Sequence, residues 1–154
     1  MSSVLRNPLD NPGVHDLRAA IDWLQGQPGV EAIRVGVIGF CLGGGYALSL
    51  ACVDGDVKDV SAFYGMMPNP EAFKDACAVA GSYGGRDPEM GWVAPKLERA
   101  LARFNVPHDV KVHPKAMHSF FNDQIRFYDA DASADSWKRT LAFFGEQLGT
   151  SHER

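Results

Sequence analysis

No apolar run in these 154 residues approaches the roughly 20 needed to cross a bilayer as a helix. The polar N-terminus lacks the charged, apolar and small-residue order of a secretory signal. Lys and Arg nowhere cluster into a stripe, and with a net charge of −4 the chain has no electrostatic footprint for nucleic acid. Cysteine is scarce: Cys41, Cys52 and Cys77 form an odd set without metal-ligand spacing. That argues against a disulfide framework and a metal site, and for a reducing compartment, with the cytoplasm expected. The dinucleotide fingerprint Gly-x-Gly-x-x-Gly is missing, as is the Gly-Lys-Ser/Thr end of a P-loop. There are no internal repeats and no low-complexity tract. What remains is an ordinary globular composition, in a length that suits one domain over residues 1–154.

The most informative stretch that is present is Val35-Gly36-Val37-Ile38-Gly39-Phe40-Cys41-Leu42-Gly43-Gly44-Gly45. An apolar run ends in Gly-x-Cys-x-Gly and a run of small and apolar residues follows. That order predicts strand, sharp turn and helix with a cysteine at the apex, the cysteine form of a nucleophile elbow. Gly39 and Gly43 flank the apex, where a Cβ is expected to collide with the folded backbone. The helix that starts there favours thiolate over thiol. Taken alone, the elbow does not decide between a nucleophile and a small buried thiol.

The rest of the chain alternates strands with helices. The first dozen residues read as a loop, punctuated by Asn7-Pro8 and Asn11-Pro12-Gly13. Leu17, Ala20, Ile21 and Leu24 predict a helix closed by Gly26 and Pro28. Strands are predicted at Ile33–Ile38, Val57–Tyr64, Ala76–Tyr83 and Val106–Val112. Between them, Tyr46, Ala47, Leu50 and Ala51 give one helix an apolar face. Pro95 starts another that carries Leu97, Leu101 and Phe104. A last helix places Trp137, Leu141, Phe144 and Leu148 on one side, with Asp131 and Asp135 near its positive end. The tail 149–154 is expected to be mobile. This pattern implies an α/β fold, a parallel sheet of about four strands flanked by helices, with ligands bound beyond the carboxyl ends of the strands.

A thiol nucleophile needs a base, and the base needs a group to orient it. His15 and His152 lie far from any strand end, His108 alternates with apolar residues on the fourth strand, and His113 sits where that strand runs out. His118 lies in the loop just beyond, where a base belongs. For the acid, Asp87 in Gly84-Gly85-Arg86-Asp87-Pro88 directly follows the third strand, although an aspartate before proline also serves as a turn residue. Asp109 and Asp123 are weaker, since one opens a strand and the other follows His118 too closely. The order Cys41, Asp87, His118 is the nucleophile, acid, base order of α/β-hydrolases. Cys52 and Cys77 are expected to be core thiols without an activating charge.

Gly39-Phe40-Cys41-Leu42-Gly43-Gly44, Gly84-x-x-Asp87-Pro88, His118-Ser119-Phe120-Phe121-Asn122 and Tyr64-Gly65 together resemble the dienelactone hydrolase family, over nearly the whole chain. The resemblance implies an α/β-hydrolase fold and an ester or lactone hydrolase without metal or organic cofactor. Cys41 would attack the carbonyl, His118 shuttle the proton and Asp87 hold its tautomer, through an acyl thioester. It also implies an oxyanion donor in the backbone N–H of Leu42, and substrate contacts from Tyr64 and Phe120. The partner is then a small-molecule ester or lactone, with no nucleic acid and no membrane.

Two departures qualify the resemblance. Family members begin with strands that bring a second oxyanion donor and a glutamate near the thiol, and this chain starts too late to contain them. It is therefore expected to be a fragment, a truncated product or a half that pairs with another chain. The Cys41 strand would then be a sheet edge, open to homo-oligomer formation. Loss of one oxyanion donor costs about 10²–10³ in rate. In addition, dienelactone hydrolases proper carry a carboxylate-binding arginine four residues after the histidine, where Asn122 stands here, which argues against dienelactone itself as substrate. The alternative is a non-catalytic α/β remnant that serves as an interaction module. A glutamine-amidotransferase-like enzyme ranks below both, because Ser119 and Phe120, not a glutamate, follow His118.

Overall fold

The structure is a computed structural model that describes residues 7–149. The expectations for His152 and for the tail beyond Gly149 lie outside the described residues.

Eight elements alternate along the chain. They are α1 (Pro12–Gln25), β1 (Val35–Phe40), α2 (Leu42–Val53), β2 (Val57–Phe63), β3 (Ala78–Gly84), α3 (Val93–Arg103), β4 (His108–His113) and α4 (Ala130–Leu148). Short 3₁₀ turns cover Pro8–Asp10 and Pro70–Asp75. The four strands form one sheet in the order β1-β2-β3-β4, and every pairing is parallel, as the alternation of strands and helices requires.

Asn11-Pro12-Gly13, expected to be loop punctuation, instead starts a helix. The Asn11 side chain accepts the Gly13 N–H at 2.9 Å and Pro12 occupies the first helical turn, where its missing N–H costs nothing. The first strand begins at Val35 rather than Ile33, because Glu31–Arg34 closes a turn through an Arg34 N–H to Glu31 carbonyl bond of 2.9 Å.

The main core lies on one face of the sheet, between β1–β4 and the helices α1, α2 and α3. Val14, Ile21, Leu48, Leu50, Val60, Val79, Leu97 and Leu101 are among its members. Of the face predicted for α1, Ile21 is buried while Leu17 and Leu24 remain exposed. The opposite face is covered by α4, and here the expected packing holds in part, with Phe144 and Leu148 half-buried against Gly36 of β1. The helix buries Ala132, Ser133, Ser136, Thr140 and Phe143, whereas Trp137 and Leu141 are 43% and 54% exposed. Small residues let α4 approach the sheet closely. A hydrogen bond of 2.8 Å between the Ser61 and Thr140 hydroxyls satisfies both groups at that contact.

Burial differs sharply between strands. β3 is buried along its whole length, but β1 has β2 as its one strand neighbour among the described residues, and its Ile38 and Phe40 are exposed. Among the described residues, β1 therefore forms one edge of the sheet and β4 the other. The apolar surface of β1 continues through the Phe40–Phe121 and Phe121–Trp137 ring contacts, at 5.3 Å and 6.1 Å between centroids.

Candidate active site

Cys41 stands between β1 and α2 with φ 54° and ψ −117°, a conformation that L-residues rarely adopt. The surrounding structure holds it there. Its N–H donates to the Phe63 carbonyl at 3.0 Å, and its carbonyl accepts the Gly45 N–H at 3.2 Å. A Cβ on Gly39 would lie 2.1 Å from the Gly43 carbonyl oxygen, so only glycine lets the turn close. Gly43 does not share this constraint, contrary to expectation, because a Cβ there would meet nothing within 4 Å. The second tight crossing is between Gly44 and Gly65, where a Cβ on Gly65 would approach the Gly44 carbonyl carbon to 2.4 Å. The buried Tyr83 hydroxyl donates to the Gly65 carbonyl at 2.9 Å and fixes that second loop.

The loops after β3 and β4 bring the expected partners to Cys41. Cys41 Sγ lies 3.3 Å from His118 Nε2, and His118 Nδ1 lies 2.7 Å from Asp87 Oδ2. The Asp87 side chain is 0% exposed and His118 24%. Asp87 is a turn residue whose second carboxylate oxygen also meets the His118 ring, so the two placements its sequence context left open coexist. Its Oδ1 accepts the Glu89 and Met90 N–H groups at 2.8 Å and 2.9 Å, which leaves Oδ2 for the imidazole. A carboxylate facing Nδ1 requires the proton on that nitrogen, so the Nε2 lone pair points at the thiol.

Two of the competing histidines, His113 and His108, bond elsewhere. His113 Nε2 shares a 2.8 Å hydrogen bond with the buried Ser136 hydroxyl, and burial holds its pKa below the ordinary histidine value. His108 Nδ1 donates to the Val106 carbonyl at 2.7 Å. Burial pushes the Cys77 thiol up to about 12 and the Cys52 thiol higher still, which makes both poor nucleophiles.

Leu42 is the first residue of α2, where a backbone N–H has no acceptor within the helix. Beside it are two cavities that share Cys41 and Tyr64. The larger, about 420 Å³, is lined by Phe40, Cys41, Tyr64, Ser119, Phe121 and Asn122. The smaller, about 190 Å³, is lined by Cys41, Leu42, Tyr64, Met66, Glu89, Met90 and His118. Burial, and secondarily the nearby Cys41 sulfur, push the Tyr64 hydroxyl up to about 12, so it keeps its proton. Phe120, expected to touch substrate, is fully buried against Phe63 and Tyr64, and its neighbour Phe121 lines the larger cavity instead. Sequence reasoning also missed Glu89, Met66 and Met90, whose place at the cavity wall is set by loops with no periodicity to read. Among the described residues, no group of three or more His, Cys, Asp or Glu side chains could hold a metal ion. No described helix is long and apolar enough to cross a membrane.

A parallel sheet with a cysteine elbow after its first strand, and an aspartate and a histidine after its third and fourth, has the architecture of an α/β-hydrolase. Within that class the chain belongs to the dienelactone hydrolase family, whose family model matches residues 1–148. A Saccharolobus solfataricus protein assigned as a carboxymethylenebutenolidase is 34% identical over 143 residues, which are 90% of this chain and 53% of that protein. A Synechocystis protein assigned the same way is 32% identical over 145 residues, 86% of this chain and 58% of its own. The crystal structure of a Klebsiella pneumoniae protein described as a dienelactone hydrolase superposes with a TM-score of 0.79 at 27% identity, covering 86% of this chain and 60% of that one. A dienelactone hydrolase-like promiscuous phosphotriesterase from metagenomic libraries gives a TM-score of 0.77 at 28% identity, covering 87% and 61%. The chain thus spans between half and two thirds of the length of these relatives.

Proposed function

We propose that this chain hydrolyses a small-molecule carboxylic ester or lactone through Cys41, His118 and Asp87. One observation carries the reading: the contiguous path from Cys41 Sγ to His118 Nε2 at 3.3 Å and from His118 Nδ1 to Asp87 Oδ2 at 2.7 Å. In this scheme Nε2 takes the thiol proton as Sγ bonds to the carbonyl carbon, and the carbonyl π electrons move onto oxygen, facing the Leu42 N–H. Collapse re-forms the C=O bond and breaks the bond to the alcohol oxygen, which leaves with the proton from Nε2. Water then attacks the acyl thioester, giving its proton to Nε2, and the acid departs as Sγ is released. Asp87 holds the ring through Nδ1 and stabilises the imidazolium of each step. Tyr64 and Phe121 line the substrate's path. No metal or organic cofactor takes part in the scheme, and the three free thiols suit a reducing compartment such as the cytoplasm.

The test is turnover of a nitrophenyl acetate by the parent, Cys41→Ala and His118→Ala. Turnover by the parent, with a loss of at least about 10³-fold in each variant, is expected. Equal rates in all three would sink the proposal.

The open β1 edge favours a second reading, an interaction module that pairs this edge with another strand, a second copy of the chain included. Ile38 and Phe40 on β1 and Trp137 and Leu141 on α4 are exposed on that side. Sedimentation velocity should then show dimers that Ile38→Lys dissociates. A monomer at all concentrations counts against self-pairing.

A further inference from the structure

The linings of the two cavities differ in charge as well as size. Neither contains a Lys or Arg, and Glu89 is the one formally charged carboxylate in the smaller one, beside His118, Leu42, Met66 and Met90. Glu89 is exposed and makes no ion pair among the described residues, so its charge is not cancelled locally. Asp87, whose side chain is fully buried against the imidazole, is the same in the parent and in every Glu89 variant, so its own field cancels from their comparison. His118 Nε2 must reach the leaving oxygen, and His118 lines only the smaller cavity of the two. On the proposed scheme, the alcohol portion of an ester would therefore sit against Leu42, Met66, Met90 and Glu89, and the acyl portion against Phe40, Tyr64 and Phe121.

We infer that Glu89 is a specificity-determining residue that filters substrates by charge, admitting esters of neutral or cationic small alcohols and rejecting anionic ones. This deepens the hydrolase reading and rests on it for the word substrate. The filter itself acts on any reagent that approaches Cys41. Two uncharged thioethers and a leucine give the alcohol apolar contact, while the carboxylate repels a second negative charge across a few ångströms of partly screened space. The Glu89 backbone N–H, not its side chain, anchors Asp87, so changing the side chain leaves the aspartate turn intact.

Alkylation of Cys41 by iodoacetamide and by iodoacetate tests this on the full chain, read by peptide mass mapping at Cys41. Each reagent loses iodide to the thiolate and leaves a thioether, so the two differ chiefly in charge. The ratio of the iodoacetate rate to the iodoacetamide rate should rise about 3-fold in Glu89→Gln and about 10-fold in Glu89→Lys, and both rises should shrink in 0.5 M salt. A ratio unchanged in both variants overturns the inference, whatever the hydrolysis assay shows. If neutral esters are not turned over but the ratio still shifts, the filter stands and the hydrolase reading fails. If esters are turned over, kcat/KM for an ester of a cationic alcohol should exceed that for an anionic one, and Glu89→Lys should reverse the order. An unreversed order overturns the inference.

Discussion

Asp87 and Cys41 stand at opposite ends of one hydrogen-bonded path but in opposite surroundings. The Asp87 side chain is completely buried behind the C-terminal end of β3, a strand buried along its whole length. Cys41 is exposed at the end of β1, which among the described residues is one of the sheet's two edge strands, β4 being the other. The Asp87 end of the path is thus enclosed by β3, β4 and their loops. The Cys41 end is set by close backbone approaches at Gly39, Gly44 and Gly65, with the Tyr83 hydroxyl bonded to the Gly65 carbonyl and the Phe40 ring packed on Phe63 and Phe121. The contrast shows that a strained backbone conformation can be set locally by a tight turn even at an edge strand of the sheet. It also shows that the open half leaves Cys41 accessible to reagents that the closed half excludes.

The largest effect should come from the turn. Gly39→Val places side-chain atoms inside the Gly43 carbonyl, so the elbow cannot close, and urea denaturation should show a loss beyond about 4 kcal/mol. Gly43→Ala has open space, and the same measurement should show it neutral or stabilised by up to about 1 kcal/mol. Similar losses in both would mean that the turn is not what holds Cys41.

The next contrast is between two adjacent phenylalanines. Phe120→Ala empties a fully buried site and should cost about 3–5 kcal/mol of stability. Phe121→Ala removes a half-buried ring from the larger cavity, so it should cost less in stability while raising KM for an aromatic ester. Reversed effects would put Phe120, not Phe121, at the substrate.

The smallest expected effect concerns the closed half. Asp59 on β2 is fully buried with both carboxylate oxygens unpartnered, and burial pushes its pKa up to about 7. A carboxyl whose folded pKa lies above its unfolded value binds its proton more tightly when folded. Its contribution is therefore lost as pH rises from about 4 toward 7. The Tm of the parent should fall between pH 5 and pH 8 relative to that of Asp59→Asn, by about 5–10 °C. Parallel Tm curves for the two proteins would show that Asp59 finds a partner the structure does not reveal.

Much of the site was legible because its signals are local. Gly-x-Cys-x-Gly after an apolar run, an aspartate just after a strand and a histidine in the next strand-end loop each follow from how a chain must turn at the end of a parallel strand. The alternation of strands and helices likewise implies a parallel sheet, because its crossovers must be long. Other features depend on which side of an element meets what, and one-dimensional spacing does not contain that. On α4 the spacing of Trp137, Leu141, Phe144 and Leu148 fits a core face as well as the spacing of Ala132, Ser136, Thr140 and Phe143 does. The sheet buries Ala132, Ser136, Thr140 and Phe143 and half-buries Phe144 and Leu148, leaving Trp137 and Leu141 exposed. Gly44 and Gly65 are far apart in the chain, so their contact exists only once β1 and β2 pair. Between Phe120 and Phe121 the choice of core or cavity was made by the loop that follows β4, and Glu89 reached the cavity wall through the turn that Asp87 caps. By itself, then, the sequence determined the α/β-hydrolase order of elements and the identity of Cys41, Asp87 and His118 as the residues to examine. Only the tertiary structure decided the path between them, the burial that separates its two ends and the charge at its cavity wall, because these arise from packing between segments distant in the chain.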